Sequence, residues 1–510
     1  MRYFLSIDYG GTTTKAILFD DKGKEIAISS FPTLKIEDRP GFREIDLEAL
    51  WHAIGASIKD LIITSDIDSS AIAAVIPIGH GKGLYLLDKQ QAIFCHGILS
   101  TDERANDLAK TFEAKLDELW PMTQQHVVGV QAPVLLRWLK EHDRASYEQI
   151  GWVLSAKDFI RFQLTGKVNQ EYGDASGNHW IHFQTGTYDP AILSFFDIEE
   201  MAHALPELVD CADMVGGVSK EAANLTGLTE GTPVLGGLFD IDACAIGSGV
   251  LDDQTFSLIS GTWNINAYPS KQAASQASGH MNSYFPNRDY LIEASSPTSA
   301  GNLDAILTML MAEEIRTIKE QGRESIYDTL ETFLENTDAA YNDLIFLPFL
   351  YGSNVSSDAK ACFFGLSTRT TKSHLLRAVY EGIAFAHKQH IDQLILAKGS
   401  APKVIRMTGG ATHSKAWVQL FADVLQLPIE TVSGSELGGL GGALIAKAAL
   451  DSLSLDEVVA DMVRVKETYY PNQEQGKYYQ QKYDLYQQLV TVMGPAWQSL
   501  AALSTLSQEG

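Results

Sequence analysis

Two segments of this chain share one pattern: a short apolar strand, a glycine-containing turn and a second strand. YFLSIDYGGTTTKAILFD occupies residues 3–20, and TFSLISGTWNINAYP occupies residues 255–269. The second segment begins near the middle of the 510 residues, so two halves built alike would explain the repeat. Gly-Thr turns between strands are also common in unrelated proteins, which leaves a coincidence open. A chain of this length has enough residues for two or more domains at about 150 residues each.

Short β-rich runs alternate with helical periodicity along the chain, a pattern typical of an α/β fold. Asp46 is a predicted N-cap, because apolar residues recur at helical spacing from Leu47 to Ile62. The predicted strands are 2–8, 15–20, 72–78, 83–88, 232–238, 255–260, 343–347, 403–408 and 428–432. The predicted helices are 155–165, 301–320, 372–397, 413–426 and 437–450, with a long terminal helix after Tyr469. The Ser/Gln/Ala-rich stretch 270–279 is expected to form a surface loop of the second half.

The charge balance argues against some classes of partner. The chain has 39 Lys and Arg against 64 Asp and Glu, a net charge of −25. Nucleic acids and anionic membranes attract clustered positive charge, so we expect neither as a partner. No run of about 18 apolar residues predicts a membrane span, and the first apolar run is too short for a signal peptide. The cysteines Cys95, Cys211, Cys244 and Cys362 form no C-x-x-C pair and indicate a reduced, cytoplasmic protein.

The segment DYGGTTTK, residues 8–15, is the first candidate binding site. Its glycines allow backbone N–H groups to approach a ligand, its threonines add hydroxyl groups, and Lys15 adds a positive charge. Asp8, at the end of an apolar strand, is a candidate ligand of Mg²⁺ through water. The segment does not have the Walker P-loop pattern, and a plain hairpin turn is the alternative. SGT, residues 260–262, is a second candidate turn for a polyphosphate.

The segment GTPVLGGLFDIDACAIGSG, residues 231–249, contains the best candidate for a general base. A buried strand leads to Asp240, where a carboxylate could accept the proton of a substrate hydroxyl. The alternative is that Asp240 caps the helix that follows. In MTGGATHSKAWVQLFADV, residues 407–424, a Gly-Gly turn precedes a helix and offers a surface for a flat base. LGGLGGAL, residues 437–444, offers a second helix face of small residues.

These motifs, in this order, resemble the FGGY family of carbohydrate kinases. The resemblance also includes GLYLLD (83–88), LTG (164–166), LPFLYGS (347–353) and AVYEGIAFAH (378–387), and it covers nearly the whole chain. It implies an α/β fold of two actin/hexokinase-like (ribonuclease H-like) domains flanking a catalytic cleft. Residues 1–249 would form the domain on the sugar side, and residues 250–510 the domain on the nucleotide side.

The resemblance also implies the substrates, the cofactor and the residues that bind them. The kinase would bind ATP, Mg²⁺ and an open-chain sugar, with Asp240 as the catalytic base and Asp8 and Asp240 as metal ligands. The sugar would contact His80, Lys82, Asp102 and Asp240. The ATP-binding residues would be Gly10, Gly11, Thr12, Thr13, Lys15, Gly261, Thr262, Gly301, Gly409, Gly410, Ala411 and Ser414. A homodimer is left open.

Departures from the family pattern bear on the sugar. D-xylulose kinases typically carry Gln-Met-His-Gly where this chain reads HGKG at 80–83, and Trp-x-Asp-x-Arg where it reads STDER at 100–104. These segments resemble the L-xylulose kinase branch, so L-xylulose is the expected acceptor. Lys82 would face it as a cation or would be a surface lysine beside a turn. The alternatives are D-xylulose, ribulose, a polyol, a sugar acid of the gluconate or keto-gulonate type, or an actin-like ATP-binding scaffold.

Overall fold

The computed structural model describes residues 2–320, 343–353, 355–356 and 358–506, and also positions 326, 330, 331, 334 and 337. Its strands lie mostly where the sequence predicts them. In chain order they are β1 (Tyr3–Tyr9), β2 (Thr13–Asp20), β3 (Glu25–Pro32), β4 (Glu44–Ile45), β5 (Ile72–Gly79), β6 (Tyr85–Asp88), β7 (Gly97–Ile98), β8 (Ile150–Leu154), β9 (Asn169–Glu171), β10 (Ile181–His182), β11 (Thr187–Tyr188), β12 (Glu207–Val209), β13 (Met214–Gly217), β14 (Pro233–Leu235), β15 (Leu238–Phe239), β16 (Thr255–Ser260), β17 (Asn264–Ser270), β18 (Met281–Phe285), β19 (Asp289–Ser296), β20 (Ile345–Leu347), β21 (Cys362–Phe364), β22 (Val404–Thr408), β23 (Ile429–Val432) and β24 (Val465–Tyr469).

The α-helices connect these strands. In chain order, over the described residues, they are α1 (Leu47–Ser65), α2 (Asn106–Glu113), α3 (Leu116–Thr123), α4 (Ala132–His142), α5 (Arg144–Gln149), α6 (Ala156–Thr165), α7 (Tyr172–Gly177), α8 (Pro190–Phe195), α9 (Lys220–Thr226), α10 (Asp240–Gly247), α11 (Ala300–Leu310), α12 (Ala312–Glu320), α13 (Lys372–Lys398), α14 (Lys415–Leu425), α15 (Leu437–Asp451), α16 (Leu455–Met462) and α17 (Gln473–Leu506). Asp46 caps α1 as expected, since its side chain accepts from the N–H of Ala49. Across the described residues, none of these helices is long and apolar enough to cross a membrane.

The chain divides into two compact units that are not continuous in sequence. Unit 1 comprises the chain up to Leu251 together with Pro269–Ile292 and Gly434–Arg464. Unit 2 comprises Asp252–Tyr268, Glu293–Ser433 and the chain from Val465. The stretch 270–279 therefore belongs to unit 1 and not, as predicted, to the second half. Its hydrogen bonds explain this placement, because both partners belong to unit 1. Ala274 N–H donates to Asn282 Oδ1, and Gln276 Nε2 donates to Asp117 Oδ1.

The main sheet of unit 1 runs in the order β13-β14-β5-β1-β2-β3. β2 pairs antiparallel with β1, whereas β5 pairs parallel with β1 on its other side. β14 is parallel to β5, and β13 is antiparallel to β14. The centre of the sheet is apolar on both faces, with Phe4 and Ile7 fully buried, and each such side chain contributes about 1.5–3 kcal/mol.

Unit 2 repeats this arrangement in its own sheet. The strands β24-β23-β22-β16-β17 lie side by side. β17 is antiparallel to β16, β22 is parallel to β16, β23 is parallel to β22, and β24 is antiparallel to β23. Each of these four pairings has the same direction, parallel or antiparallel, as the corresponding pairing in unit 1. The shared turn motif therefore reflects two halves built alike rather than a coincidence.

Two predicted elements are interrupted. The predicted strand 232–238 splits into β14 and β15, because Gly237 adopts a φ of +92°. A Cβ on Gly237 would lie 2.3 Å from the carbonyl oxygen of Pro77. The predicted helix 301–320 is broken at Met311, which has a φ of −131°.

Candidate functional site

The turn between β1 and β2 in unit 1 contains the DYGGTTTK segment. Gly10 N–H donates to the carbonyl oxygen of Thr13 at 3.2 Å, and the Thr33 hydroxyl donates to the Gly10 carbonyl at 2.9 Å. A Cβ on Gly10 would lie 2.9 Å from the Thr13 oxygen, so the turn itself requires a glycine there. A Cβ on Gly11 would meet nothing within 4 Å, and Thr12 is exposed. The outer side of this turn is therefore open to a ligand.

Charged side chains lie at the base of this turn. Asp8 and Lys15 are paired residues of β1 and β2. Lys15 Nζ lies 2.7 Å from Oε2 of Glu436, the residue at the N-cap position of α15. Burial raises the pKa of Asp8 to about 6, Lys15 opposes this rise, and Glu436 adds to it. Asp8 is therefore a half-buried carboxylate whose charge changes just below neutral pH.

Asp240 is the first helical residue of α10, directly after β15. Phe239 occupies the N-cap position, so Asp240 is not the helix cap that the alternative interpretation required. The pKa of the Cys244 thiol, one turn further along α10, is raised by burial and then by the charges of Asp8, Asp240 and Glu436. The charges of Asp8 and Asp240 both act on the Cys244 thiol, so both carboxylates lie near this thiol in unit 1.

The predicted sugar contact His80 lies directly after β5. Its side chain is 5% exposed, its Nε2 lies 2.9 Å from the Tyr85 hydroxyl, and that hydroxyl donates to Tyr9 at 3.1 Å. Burial lowers the pKa of His80 to about 4, so the ring is neutral at pH 7. His80 Nδ1 lies 3.4 Å from the carbonyl oxygen of Gly81, so both ring nitrogens have a partner, and the contact of His80 with a sugar stays a prediction.

Lys82 and Asp102 have opposite environments. The Lys82 ammonium lies 6.0 Å from the ring centroid of Phe239, which directly precedes Asp240. The Asp102 carboxylate is fully buried and accepts the N–H groups of Arg43 and Arg104 and two guanidinium hydrogen bonds from Arg104. Its oxygens are thus engaged by the protein, and a sugar contact at Asp102 stays a prediction. Arg104 also binds Glu44 at 2.6 Å.

Unit 2 contains the second turn, between β16 and β17. Thr262 is exposed, and a Cβ on Gly261 would meet nothing within 4 Å. The carbonyl of Gly261 accepts the N–H of Ala300, the first residue of α11. A Cβ on Gly301 would lie 3.2 Å from the Thr262 methyl group and carbonyl oxygen, so the turn packs closely on this helix.

A buried network of neutral polar groups supports this second turn. Ser260 Oγ lies 3.0 Å from Ser299 Oγ, which lies 3.0 Å from His387 Nε2. His387 Nδ1 is in turn 3.1 Å from Asn266 Oδ1. Burial holds the pKa of His387 well below its usual range, so this ring is neutral. The network therefore fixes the turn without placing a charge beneath it.

The Gly-Gly turn that follows β22 contains the remaining predicted nucleotide residues. Gly409 has a φ of +91°, and a Cβ there would lie 2.4 Å from the Ser260 carbonyl oxygen. Gly410 begins a short 3-10 helix (Gly410–His413), and a Cβ on it would meet nothing within 4 Å. Ala411 is buried, and Ser414 caps α14 by accepting the Trp417 N–H. The structure thus brings Gly409 next to the β16–β17 turn.

The LGGLGGAL segment serves a different purpose from the one its sequence suggested. It forms the start of α15, which packs against α10 in unit 1. A Cβ on Gly441 would lie 2.0 Å from the Ala243 carbonyl oxygen, and one on Gly247 would lie 1.8 Å from the Leu437 carbonyl oxygen. The small residues allow two helix backbones to touch, so this face is not available to a base.

Sequence reasoning missed two parts of the site. Glu436 was not a candidate because a lone glutamate 421 positions from Lys15 gives no signal of their pairing. The network of Ser299, Asn266 and His387 was missed because its members are ordinary polar residues in three separate elements. Among the residues described, no group of three or more His, Cys, Asp or Glu side chains forms a metal cage.

The fold and the site define a two-unit α/β protein in which each unit has a glycine-containing turn between two antiparallel strands, and in which a carboxylate of unit 1 stands where a strand meets a helix. The family model "FGGY family of carbohydrate kinases, N-terminal domain" matches residues 3–247, and the C-terminal domain model matches residues 256–450. The chain therefore belongs to the FGGY family of carbohydrate kinases and is a sugar kinase, as its sequence resemblance predicted.

Individual relatives cover nearly the whole chain. An L-xylulose/3-keto-L-gulonate kinase of Escherichia coli K12 is 33% identical over 96% of this chain and 97% of that protein. A probable L-xylulose kinase of Pasteurella multocida is 32% identical over 97% of this chain and 99% of that protein. A crystal structure of xylulose kinase from Rhodospirillum rubrum has a TM-score of 0.85 and 26% identity, and the match covers 98% of this chain and 100% of that one.

Proposed function

We propose that this sugar kinase transfers the γ-phosphoryl group of ATP to the terminal hydroxyl of an open-chain ketopentose, with L-xylulose as the first candidate. One observation carries the proposal. Asp240 is the first residue of α10 in the same unit as Asp8, and the β1–β2 turn of that unit is open to a ligand. The names of the full-length relatives support the choice of sugar.

In the proposed reaction Asp240 accepts the proton of the sugar hydroxyl. The hydroxyl oxygen forms a bond to the γ-phosphorus while the bond from that phosphorus to the β–γ bridging oxygen breaks, and ADP leaves. Catalysis of this kind consists of positioning and of stabilising the spreading negative charge. The Lys15 ammonium, held by Glu436, supplies positive charge beside the β1–β2 turn.

A magnesium ion fits the donor set of unit 1. Mg²⁺ is usually held by one or two carboxylates and several waters together with substrate phosphates, and Asp8 with Asp240 offers such a pair. The Asp8 carboxylate is half-buried, and its high pKa shows that its charge lacks full compensation in the protein alone. When bound, the ion would neutralise phosphate charge and orient the γ-phosphoryl group.

We propose nucleotide contacts at the glycine-containing turns of each unit, considered separately. Gly11, Gly261 and Gly410 support this assignment, because each has an ordinary φ and open space where a Cβ would lie. Neither packing nor backbone strain within the protein requires a glycine at these positions. Close approach of a ligand to the backbone gives a reason for all three.

The boundary at residues 249 and 250, the cytoplasmic location and the homodimer stay predictions. D-xylulose, ribulose, polyols and sugar acids are the alternative acceptors. Lys82, beside Phe239, specifically favours a sugar acid as a second acceptor.

The proposal is tested by measuring ADP release with ATP and Mg²⁺ against a panel of L-xylulose, D-xylulose, L-ribulose, D-ribulose, xylitol and gluconate. We expect the highest kcat/KM with L-xylulose, and ³¹P NMR should show a phosphate ester on the terminal carbon. Substitution of Asp240 by Asn serves as the matched control for background ATP hydrolysis. ADP release that no sugar stimulates would overturn the proposal.

A further inference from the structure

Two exposed aromatic side chains lie at the β16–β17 turn of unit 2. Within the described residues, the exposed aromatic residues are Trp263, Tyr351 and Tyr470, at 41%, 61% and 71% exposure. Trp263 directly follows Thr262 in the turn. A Cβ on Gly301 would lie 3.2 Å from the Thr262 methyl group and 3.6 Å from Cε2 of Tyr351, so Thr262 and the Tyr351 ring both border this glycine. The open turn therefore has aromatic surface beside it.

The backbone on both sides of Tyr351 is attached to the segment that leads into α11. Leu350 N–H donates to Asn302 Oδ1 at 3.0 Å, and Asn302 Nδ2 donates to the Pro297 carbonyl oxygen at 3.0 Å. Gly352 has a φ of +118°, and a Cβ on it would lie 3.5 Å from Cγ of Pro297. Because both neighbours of Tyr351 are held, a ligand that contacts its ring would lose little free energy by ordering the loop.

The Tyr351 ring itself is uncovered. Among the residues that the structure describes, no aromatic ring or cation packs on it, and its hydroxyl forms no hydrogen bond. Single exposed apolar side chains are common on protein surfaces and need no explanation. Tyr351 differs from these because its loop is held beside a turn that is open to a ligand, so a ligand in the turn would cover the ring.

The part of a nucleotide that suits this ring is its base. The backbone of Gly261 and the hydroxyl of Thr262 are suited to donate to phosphate oxygens. An aromatic ring instead offers an apolar face with a π system. Stacking of a base on an aromatic side chain typically strengthens binding by about 5- to 100-fold. Phosphates at the turn and a base on the neighbouring ring would therefore use both kinds of surface.

We propose that the Tyr351 ring stacks on the purine base of the nucleotide whose phosphates lie at the β16–β17 turn. The inference rests on the proposed function, because that function brings ATP to Thr262 and Gly301. Tyr351 is a positioning residue for the phosphoryl donor, and it takes no part in the transfer of the phosphoryl group or of the proton.

The experiment measures the dissociation constant of ADP by isothermal titration calorimetry in the native protein, in Tyr351→Ala and in Tyr351→Phe. We expect Tyr351→Ala to weaken binding by about 5- to 100-fold, and Tyr351→Phe, which keeps the ring, to stay within about 3-fold of the native protein. Tyr470→Ala removes the other exposed tyrosine of unit 2 and is the matched control, with unchanged ADP affinity.

Two kinetic measurements separate stacking from a structural role and from a phosphate contact. In Tyr351→Ala, KM for ATP should rise by the same factor as the ADP dissociation constant, while kcat at saturating ATP and KM for the sugar stay within about 2-fold. Inorganic tripolyphosphate, which has no base, should inhibit the native enzyme and Tyr351→Ala with the same inhibition constant against ATP.

Unchanged ADP affinity in Tyr351→Ala would overturn the inference. So would an equal loss of affinity for tripolyphosphate, or a Tyr351→Phe variant as weak as Tyr351→Ala, because either result would assign the effect to a contact other than stacking. If the native protein binds ADP through Tyr351 but no sugar stimulates ADP release, the proposed function fails and the stacking contact stands.

Discussion

The β1–β2 turn of unit 1 and the β16–β17 turn of unit 2 have the same backbone plan but opposite chemistry. Beside the first lie the charged side chains of Asp8, Lys15 and Glu436. Beneath the second lies a neutral network of hydroxyl, amide and imidazole groups around Ser299 and His387. The two halves thus share strand order and pairing while their polar residues have diverged.

One architecture can therefore place charged groups at the turn of one unit and neutral groups at the turn of the other, and the two kinds of group suit different tasks. Charged groups can move a proton and hold a metal ion, and Asp240 and Asp8 in unit 1 are suited to both. Neutral donors and open glycines, such as those of unit 2, are suited to hold phosphate oxygens without adding a titrating group. We therefore expect changes in the carboxylates of unit 1 to act on turnover, and changes in the open glycines of the turns to act on nucleotide binding.

The largest effect is expected from Asp240→Asn. The amide keeps the size of the side chain but cannot accept the hydroxyl proton, so kcat should fall by about 100- to 10,000-fold. Steady-state ADP release with saturating L-xylulose measures it. An enzyme that retains most of its turnover would remove Asp240 from the role of base.

Asp8→Asn should lower kcat by about 10- to 100-fold, because a neutral amide is a poor partner for hydrated Mg²⁺. The kcat/KM for ATP and Mg²⁺ reports the free enzyme, so it should also fall as the pH drops through about 6, where the metal-free Asp8 becomes protonated. A pH–rate profile of both proteins checks this, and the dependence near pH 6 should be absent from the variant. An unchanged profile in Asp8→Asn would contradict the assignment.

Although Asp8→Asn should lower kcat, it should preserve or raise the stability of the metal-free protein. The folded pKa of Asp8 lies above its ordinary value of 3.8, so the stabilisation from its neutral form is lost as the pH rises through about 6. Without Mg²⁺ at pH 8, Asp8→Asn should therefore melt at or above the temperature of the native protein. Thermal unfolding in EDTA measures this, and a lower melting temperature would show that the ionised carboxylate stabilises the fold.

Adjacent glycines of unit 2 offer a matched pair. Gly409→Ala should lower the free energy of unfolding by about 1–3 kcal/mol, because of its φ of +91° and the Ser260 carbonyl 2.4 Å from the new Cβ. Gly410→Ala should change it by less than about 0.5 kcal/mol. Urea unfolding gives the free energy of unfolding of each variant. Equal destabilisation of the two would refute the distinction between these glycines.

The smallest effect is expected at the open glycines. Gly261→Ala should raise KM for ATP by about 2- to 10-fold, the effect of one weakened hydrogen bond, with little change in stability. Gly11→Ala at the corresponding turn of unit 1 should raise it less if unit 2 holds the nucleotide. The reverse order would assign nucleotide binding chiefly to unit 1.

The sequence predicted the fold well because local signals dominate it. The N-cap Asp46 and the apolar spacing from Leu47 onwards specify α1, and repeated strand–turn–strand segments predict two similar sheets. No local signal indicates that 269–292 and 434–464 group with unit 1, because the contacts that attach them come from distant residues. Glycines in LGGLGGAL looked the same as ligand-binding glycines because only tertiary packing separates the two roles.

The candidate site was predicted less completely. Motifs identified Asp8, Lys15 and Asp240, whose neighbourhood the structure describes. They could not identify Glu436, which depends on a contact between remote elements, or show that Asp102 is already engaged by Arg104.

The division of tasks is tested most directly by the ADP dissociation constant of Asp240→Asn, measured by isothermal titration calorimetry in EDTA beside the native protein, so that binding of Mg²⁺ by Asp240 does not contribute. The account predicts a value within about 3-fold of the native one, because a difference below about 0.7 kcal/mol leaves nucleotide binding essentially intact while turnover is lost. ADP affinity that falls in parallel with turnover would contradict it, because the nucleotide would then depend on the carboxylate of unit 1.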